Sequence, residues 1–378
     1  MFFRSKQKKA DEQMCLSVKQ SCCDFFGHNV SEHVHVERVS DDAVNIRLGF
    51  VCDTEKSSLI AHLNEHFSAA SQPDQSKANI NKALSKAPLE FNVRYNVPIF
   101  DSKQPPVRNV KNIIAVSSGK GGVGKSATAV NLALALKAQG ARVGILDADI
   151  YGPSIPLMLG TENASPMSPD NKHMMPIVAH GLVSNSIGYL VKNEHASIWR
   201  GPMASKALTQ LVTETNWPLL DYLIVDMPPG TGDIQLTMAQ QLPLTAAVVV
   251  TTPQDIALSD AQKGIAMFNK LQVPVLGLVE NMSFFECPAC HHQSHIFSSK
   301  GAQKLSAKYS LPILAEVPLA PLIREYADAG DSLFEQAPEH SLCAIYLRGA
   351  YLLSRQMASQ LVISPLAQTS KIEVTQLN

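Results

Sequence analysis

The sequence predicts an α/β protein: a doubly wound, mostly parallel sheet, with a small α/β domain ahead of it. Three observations carry that expectation. Short apolar runs recur at 113–116, 143–146, 222–225, 247–250 and 275–279, each leading into a loop and then a helical pattern. Runs that are apolar at every position suit strands covered on both faces, and helices between them impose parallel neighbours. Earlier in the chain, residues 44–51 alternate instead, with Val44, Ile46, Leu48 and Phe50 on one face, the mark of a half-buried strand. Between the two patterns, residues 101–106 read Asp-Ser-Lys-Gln-Pro-Pro, a linker whose prolines extend neither a helix nor a central strand.

The first part continues with Leu59, Ile60, Leu63 and Phe67 at helical spacing, a polar stretch at 71–77, and a strand through Leu89, Phe91, Val93 and Tyr95. Composition narrows the function classes. Of the 378 residues, 45% are hydrophobic, enough for a sizeable core, and the 17% charged content lies below the average of about 25%. Lys+Arg 32 against Asp+Glu 33 leaves a net charge of −1, which argues against holding nucleic acid by bulk charge. No apolar run approaches the roughly 18–20 residues of a membrane helix, and the basic start has no apolar stretch of a signal peptide. Seven cysteines, an odd and sparse set, do not suit a secreted disulfide framework. The expected location is cytoplasmic, with no membrane and no nucleic-acid partner.

In open sheets of this class ligands sit beyond the carboxyl ends of the strands. After the first run comes Gly119-Lys120-Gly121-Gly122-Val123-Gly124-Lys125-Ser126, followed by a helical pattern that stops at Gly140. This is the phosphate-loop pattern in its strand–loop–helix context. Glycines let backbone N–H groups turn toward phosphate oxygens, and the helix start adds positive potential. Lys125 is expected on the β- and γ-phosphates of ATP, and the Ser126 hydroxyl on Mg²⁺. Lys120 has no task in its own loop and resembles the signature lysine of deviant phosphate-loop ATPases such as MinD, ParA and the nitrogenase iron protein. That resemblance implies contact with a partner subunit's nucleotide.

The second run ends in Asp147-Ala148-Asp149, whose carboxylates share one face of an extended segment. Asp149 is expected to orient the attacking water and Asp147 to support it. The third run ends in Asp226-Met227-Pro228-Pro229-Gly230, with Asp226 on the Mg²⁺ side and the Gly230 N–H placed to sense the γ-phosphate. Asn281, closing the fifth run, is expected to read the adenine edge, since its amide both donates and accepts.

Cys287-Pro288-Ala289-Cys290 follows that strand. C-x-x-C is shared by redox pairs, half zinc sites and cluster ligand sets. His291, His292 and His295 offer further zinc ligands, so structural zinc stands as one alternative. Iron–sulfur clusters usually take four thiolates, and a two-fold dimer of this chain supplies them. Cys15, Cys22, Cys23, Cys52 and Cys343 read as buried small hydrophobes.

The segments SSGKGGVGKS, GILDADIYGPSIP, WRGPMASKAL, DYLIVDMPPGTGDIQLT, VVVTTPQDIAL and VENMSFFECPAC closely resemble the Mrp/ApbC family of iron–sulfur cluster carrier ATPases. The resemblance spans about residues 108–350. It implies a cytosolic homodimer that bridges a 4Fe–4S cluster through Cys287 and Cys290 of each subunit. It also implies transfer to apo-proteins, alongside cluster assembly scaffolds, with ATP hydrolysis in the cycle; Lys120, Lys125, Ser126, Asp149 and Asp226 carry over as ATPase residues. The expected organisation is a small α/β domain at 1–100, a linker at 101–110, a P-loop ATPase domain at 111–362 and a tail at 363–378. A positioning ATPase of the MinD/ParA kind is the other alternative. It needs a basic or amphipathic surface, and the helical stretch at 344–361 carries only Arg348 and Arg355.

Overall fold

The computed structural model describes residues 2–40, 42–67, 89–190 and 201–365. The polar stretch 71–77, Trp199 and Arg200 of one resembling segment, and the tail from 366 lie outside them. The chain divides into two compact units, Met1–Val97 with Ser354–Leu361, and Pro98–Leu353 with Val362–Asn378.

The first unit holds α1 (Phe2–Phe26), β1 (Val34–Arg38), β2 (Ala43–Leu48), α2 (Asp53–Phe67) and β3 (Glu90–Tyr95). Its sheet runs β1-β2-β3, with β1 antiparallel to β2 and β3 parallel to it. The alternation at 44–51 appears as β2, ending at Leu48. Helix α1 and strand β1 are additions to the sequence reading. The core side of α1 is a four-residue repeat of Met14, Val18, Cys22 and Phe26, one stripe of a helix. Two of its cysteines, Cys22 and Cys23, are buried, as are Cys52 and Cys343. Burial pushes the Cys22 and Cys52 thiols up to about 12.

The second unit opens with β4 (Val110–Ser118), α3 (Lys125–Ala138), β5 (Val143–Asp147), α4 (Ile155–Met158), β6 (Ile177–Ala179) and β7 (Leu182–Ser186). It continues through α5 (Gly201–Thr213), β8 (Leu220–Asp226), α6 (Asp233–Gln241), β9 (Ala246–Thr251), α7 (Asp255–Leu271) and β10 (Val275–Asn281). A hairpin of β11 (Phe285–Glu286) and β12 (Gln293–Ser294) follows. The unit closes with α8 (Gly301–Tyr309), β13 (Ile313–Val317), α9 (Pro321–Ala329), α10 (Leu333–Gln336) and α11 (Ser341–Gln360). The last turns of α11 count with the first unit, whereas the sequence reading assigns that helix wholly to the ATPase domain.

The main sheet runs β13-β10-β9-β4-β8-β5-β7-β6, with every neighbouring pair parallel except the β6–β7 hairpin. Every residue of β5, β8, β9 and β10 is buried, as two covered faces require. The chain leaves β4 for β5 on one side and crosses to β9 on the other, so β4 ends at a switch point where ligands bind. At the opposite end of the sheet, Asp221 accepts from Arg142 at 2.8 and 3.0 Å and from Lys111 at 2.9 Å. Burial raises this carboxylate, but Arg142 and Lys111 outweigh it and hold Asp221 below the usual carboxylate range. Among the described residues no helix is long and apolar enough to cross a membrane.

Candidate functional site: a phosphate loop and a cysteine knuckle

Parallel register builds the first part of the site. Val116 of β4 pairs with Asp226 of β8, and Asp226 pairs with Asp147 of β5. Two carboxylates thus end adjacent strands beside the loop that leaves β4. Loop 119–124 then enters α3 through Gly124, whose φ of 78° is left-handed. The backbone of Asp260 and Ala261 in α7 occupies the place where a Cβ on Gly119 would fall. The Asn281 amide nitrogen does the same at Gly124. Gly119 is therefore dictated by close approach of backbone, and Gly124 by its left-handed φ.

Lys125 Nζ lies 2.5 Å from Asp226 Oδ1, and the Ser126 hydroxyl donates to Asp226 Oδ2 at 2.5 Å. Asp226 is fully buried and Lys125 nearly so. Burial raises Asp226 above the ordinary carboxylate range, opposed by the Lys125 ammonium and the Ser126 hydroxyl. Asp147 is raised by burial and then by the Asp226 charge. One Asp147 oxygen accepts the Asp149 N–H at 3.1 Å; the other accepts the Ile155 N–H and the Ser186 hydroxyl, each at 3.1 Å. Asp147 thus shapes the loop that carries Asp149. Asp149 is half-buried, is raised chiefly by burial, and lines a cavity of about 430 Å³ with Tyr151, Pro229 and Gln235.

Two expectations meet a different geometry. The Gly230 N–H donates to the Ser118 carbonyl at 2.9 Å, because the segment after β8 folds over the end of β4 and meets its last carbonyl. The Asn281 amide donates one N–H to the Val123 carbonyl at 2.9 Å and so braces the phosphate loop. Lys120 is half-buried; its carbonyl accepts the Ser118 hydroxyl at 2.9 Å, and among the described residues no ion pair involves its side chain.

Cys287 and Cys290 sit at the tip of the β11–β12 hairpin, where Glu286 pairs with Gln293. The tip is closed by the Cys287 N–H on the His292 carbonyl at 3.0 Å and the His291 N–H on the Cys287 carbonyl at 2.8 Å. Cys287 is half-buried and Cys290 exposed. The N–H groups of Ala289 and Cys290, then the Cys290 thiol, hold the Cys287 thiol below its ordinary range. This is the environment a thiolate ligand needs. His291 Nδ1 meets Glu286 at 3.0 Å, and His295 Nδ1 donates to the Ser283 carbonyl at 3.1 Å. Among the described residues, no group of three or more His, Cys, Asp or Glu side chains is arranged to hold a metal ion.

A family model described as ParA, NUBPL iron-transfer P-loop NTPase, matches residues 109–351, more than half of the chain. The chain belongs to this family. The match takes in the phosphate loop, Asp147, Asp149, Asp226 and the cysteine knuckle. Among family relatives, the iron–sulfur cluster carrier protein of Salmonella typhimurium is 56% identical over 77% of this chain and 80% of its own length. The carrier of the same name from Escherichia coli K12 is 53% identical over 83% and 85%. The mouse iron–sulfur cluster transfer protein NUBPL is 49% identical over 68% and 81%. Among solved structures, the nucleotide-binding protein of Archaeoglobus fulgidus in complex with ADP has a TM-score of 0.53. It is 36% identical and covers 59% of this chain and 87% of its own.

The sequence reading of this family member passed over two buried polar side chains. Gln235, in the first turn of α6, donates to the Ser117 hydroxyl, while its Oε1 has no hydrogen-bond partner. Glu280 is buried beside Asn281 and accepts the Ala302 N–H and the Ser283 hydroxyl, each at 2.6 Å. A carboxylate ending an otherwise apolar run is the signal that points to Glu280. Nothing local marks Gln235, whose partner lies far off in sequence on strand β4.

Proposed function

We propose that this P-loop NTPase hydrolyses ATP and carries an iron–sulfur cluster between two copies of the chain, handing it to apo-proteins. The observation that carries the reading is the cysteine knuckle. It is a preshaped thiol pair that offers two donors where a 4Fe–4S cluster takes four, in the same unit as a phosphate loop. The names of the relatives, carriers and transfer proteins of iron–sulfur clusters, support the same cargo. A second copy related by two-fold symmetry completes the ligand set.

On the nucleotide side, Lys125 exchanges Asp226 for the β- and γ-phosphates, and loop N–H groups hold the remaining oxygens. Ser126 and Asp226 present a close pair of oxygens, the hard donors that suit Mg²⁺. Held by Ser126 and Asp226, Mg²⁺ would supply charge neutralisation for the bound phosphates. Asp149, whose carboxyl is raised above its ordinary range chiefly by burial, orients the attacking water, and Asp147 fixes the loop that aims it. The Gly230 N–H exchanges the Ser118 carbonyl for the γ-phosphate. Lys120 reaches the nucleotide of the second copy. Asn281 serves the nucleotide through the loop it braces.

The deciding experiment is iron and acid-labile sulfide per chain after anaerobic reconstitution, with mass in solution and ATP turnover on the same sample. Four irons per two chains, lost in C287A/C290A with turnover retained, is the expected result. A dimer that hydrolyses ATP and holds zinc but no iron overturns it.

A further inference from the structure

Asn281 and Cys287 are joined by one short arm of chain, and nearly every residue of that arm is pinned. Asn281 donates to the Val123 carbonyl in the phosphate loop at 2.9 Å. The Ser283 hydroxyl donates to Glu280 at 2.6 Å, its N–H to the Val317 carbonyl at 2.9 Å, and its carbonyl accepts from His295 at 3.1 Å. The Phe284 carbonyl accepts the Leu319 N–H at 2.7 Å, and its ring meets His295 edge-on. Between these fixed points Met282 is left-handed at φ 55°, a conformation that a non-glycine residue holds only when its surroundings impose it. The arm continues directly into β11 and the first cysteine.

The peptide between Val123 and Gly124 is the contact at the other end. A trans peptide is planar, and its C=O and N–H point in opposite directions. The Gly124 N–H belongs to the set that cradles phosphate, while the Val123 carbonyl of the same plane accepts from Asn281. Phosphate on that N–H polarises the peptide and strengthens the carbonyl as an acceptor. Nucleotide binding therefore tightens the hold on Asn281.

Building on the nucleotide and thiol reading above, we propose that Asn281, Ser283 and His295 are positioning residues that transmit phosphate-loop occupancy to the Cys287–Cys290 pair. The cysteines become less accessible when nucleotide is bound. By linkage, a nucleotide that changes the affinity of the thiols for a metal has its own affinity changed by that metal by the same factor.

The test is the alkylation rate of each cysteine by iodoacetamide, read by peptide mass spectrometry on the full-length chain with and without saturating ADP. ADP binding is measured separately by calorimetry. ADP is expected to slow labelling of Cys287 and Cys290 by about fivefold, within the usual range of coupling between sites. In S283A and H295A the ADP effect is expected to shrink below about twofold while ADP affinity is unchanged. His295 is exposed, so H295A tests the path even where S283A does not fold. A merely structural role for these residues changes labelling equally with and without ADP, and leaves the ratio as in the native chain. Native labelling unmoved by bound ADP overturns the inference, as does a native-sized ratio in H295A. Failure of ADP to bind, or of iron to load, removes the proposed function instead.

Discussion

The phosphate loop and the cysteine knuckle both follow strands of one sheet, β4 and β10, yet are built on opposite principles. At the loop, charge is buried: the Lys125–Asp226 pair has almost no contact with water, and Asp147 lies wholly inside. At the knuckle, Cys290 is exposed and the bracing contacts of His291 and Glu286 lie at the surface. A buried pair holds its geometry because separating its members leaves an uncompensated charge. The thiol pair is held by backbone closure of the hairpin tip and by surface side-chain contacts of Glu286 with His291 and Gln293. The contrast fits the two tasks. The buried groups at the loop are fixed by their partners in the fold, whereas the exposed thiol of Cys290 is open to a ligand from outside the chain.

Replacing Lys125 tests the buried side hardest. K125A strands Asp226, so unfolding free energy should fall by roughly 3–5 kcal/mol at neutral pH. ATP turnover should fall by about a hundredfold or more, both measured beside the native chain. Full stability in K125A would mean that the buried Lys125–Asp226 pair contributes nothing to the fold. G124A comes next, because a Cβ there meets the Asn281 amide at a positive φ. A loss of about 1–3 kcal/mol is expected, with weaker nucleotide binding by calorimetry.

Removing the thiols is the opposite case. C287A/C290A should leave the unfolding midpoint within error of native while abolishing bound iron, and a large loss of stability would show that the knuckle supports the fold. The finest probe is the pH dependence of cysteine alkylation. Cys287, held below the ordinary range, should stay reactive as pH falls below 9, since its thiolate persists to lower pH. Cys22 and Cys52, pushed up to about 12, should remain protonated and unlabelled throughout that range. Equal rates at all three would erase the distinction between ligand and core thiols.

The loop and the knuckle were legible in the sequence because their chemistry is local. Gly119 to Ser126 are contiguous, and Cys287 and Cys290 are neighbours. Strand ends were legible too, since Asp147, Asp226 and Asn281 each close an apolar run. Helix α1 was not, because its buried stripe is filled by Met14, Val18, Cys22 and Phe26 among polar neighbours. Strand β1 was not either: Val34-His35-Val36-Glu37-Arg38 is short and pairs at only one edge of the small sheet.

Residue type and spacing by themselves determined which groups this protein can use: a phosphate-binding loop, strand-end carboxylates and two thiols. Which partner each group meets was decided by the tertiary structure. Strand register set Asp226 beside Lys125, chain crossing put the Gly230 N–H on Ser118, and the sheet order, with β10 one strand removed from β4, brought Asn281 to Val123. The reason is physical. A side chain's chemistry is covalent and local, but the hydrogen bond it makes depends on which distant strand the folded sheet brings alongside.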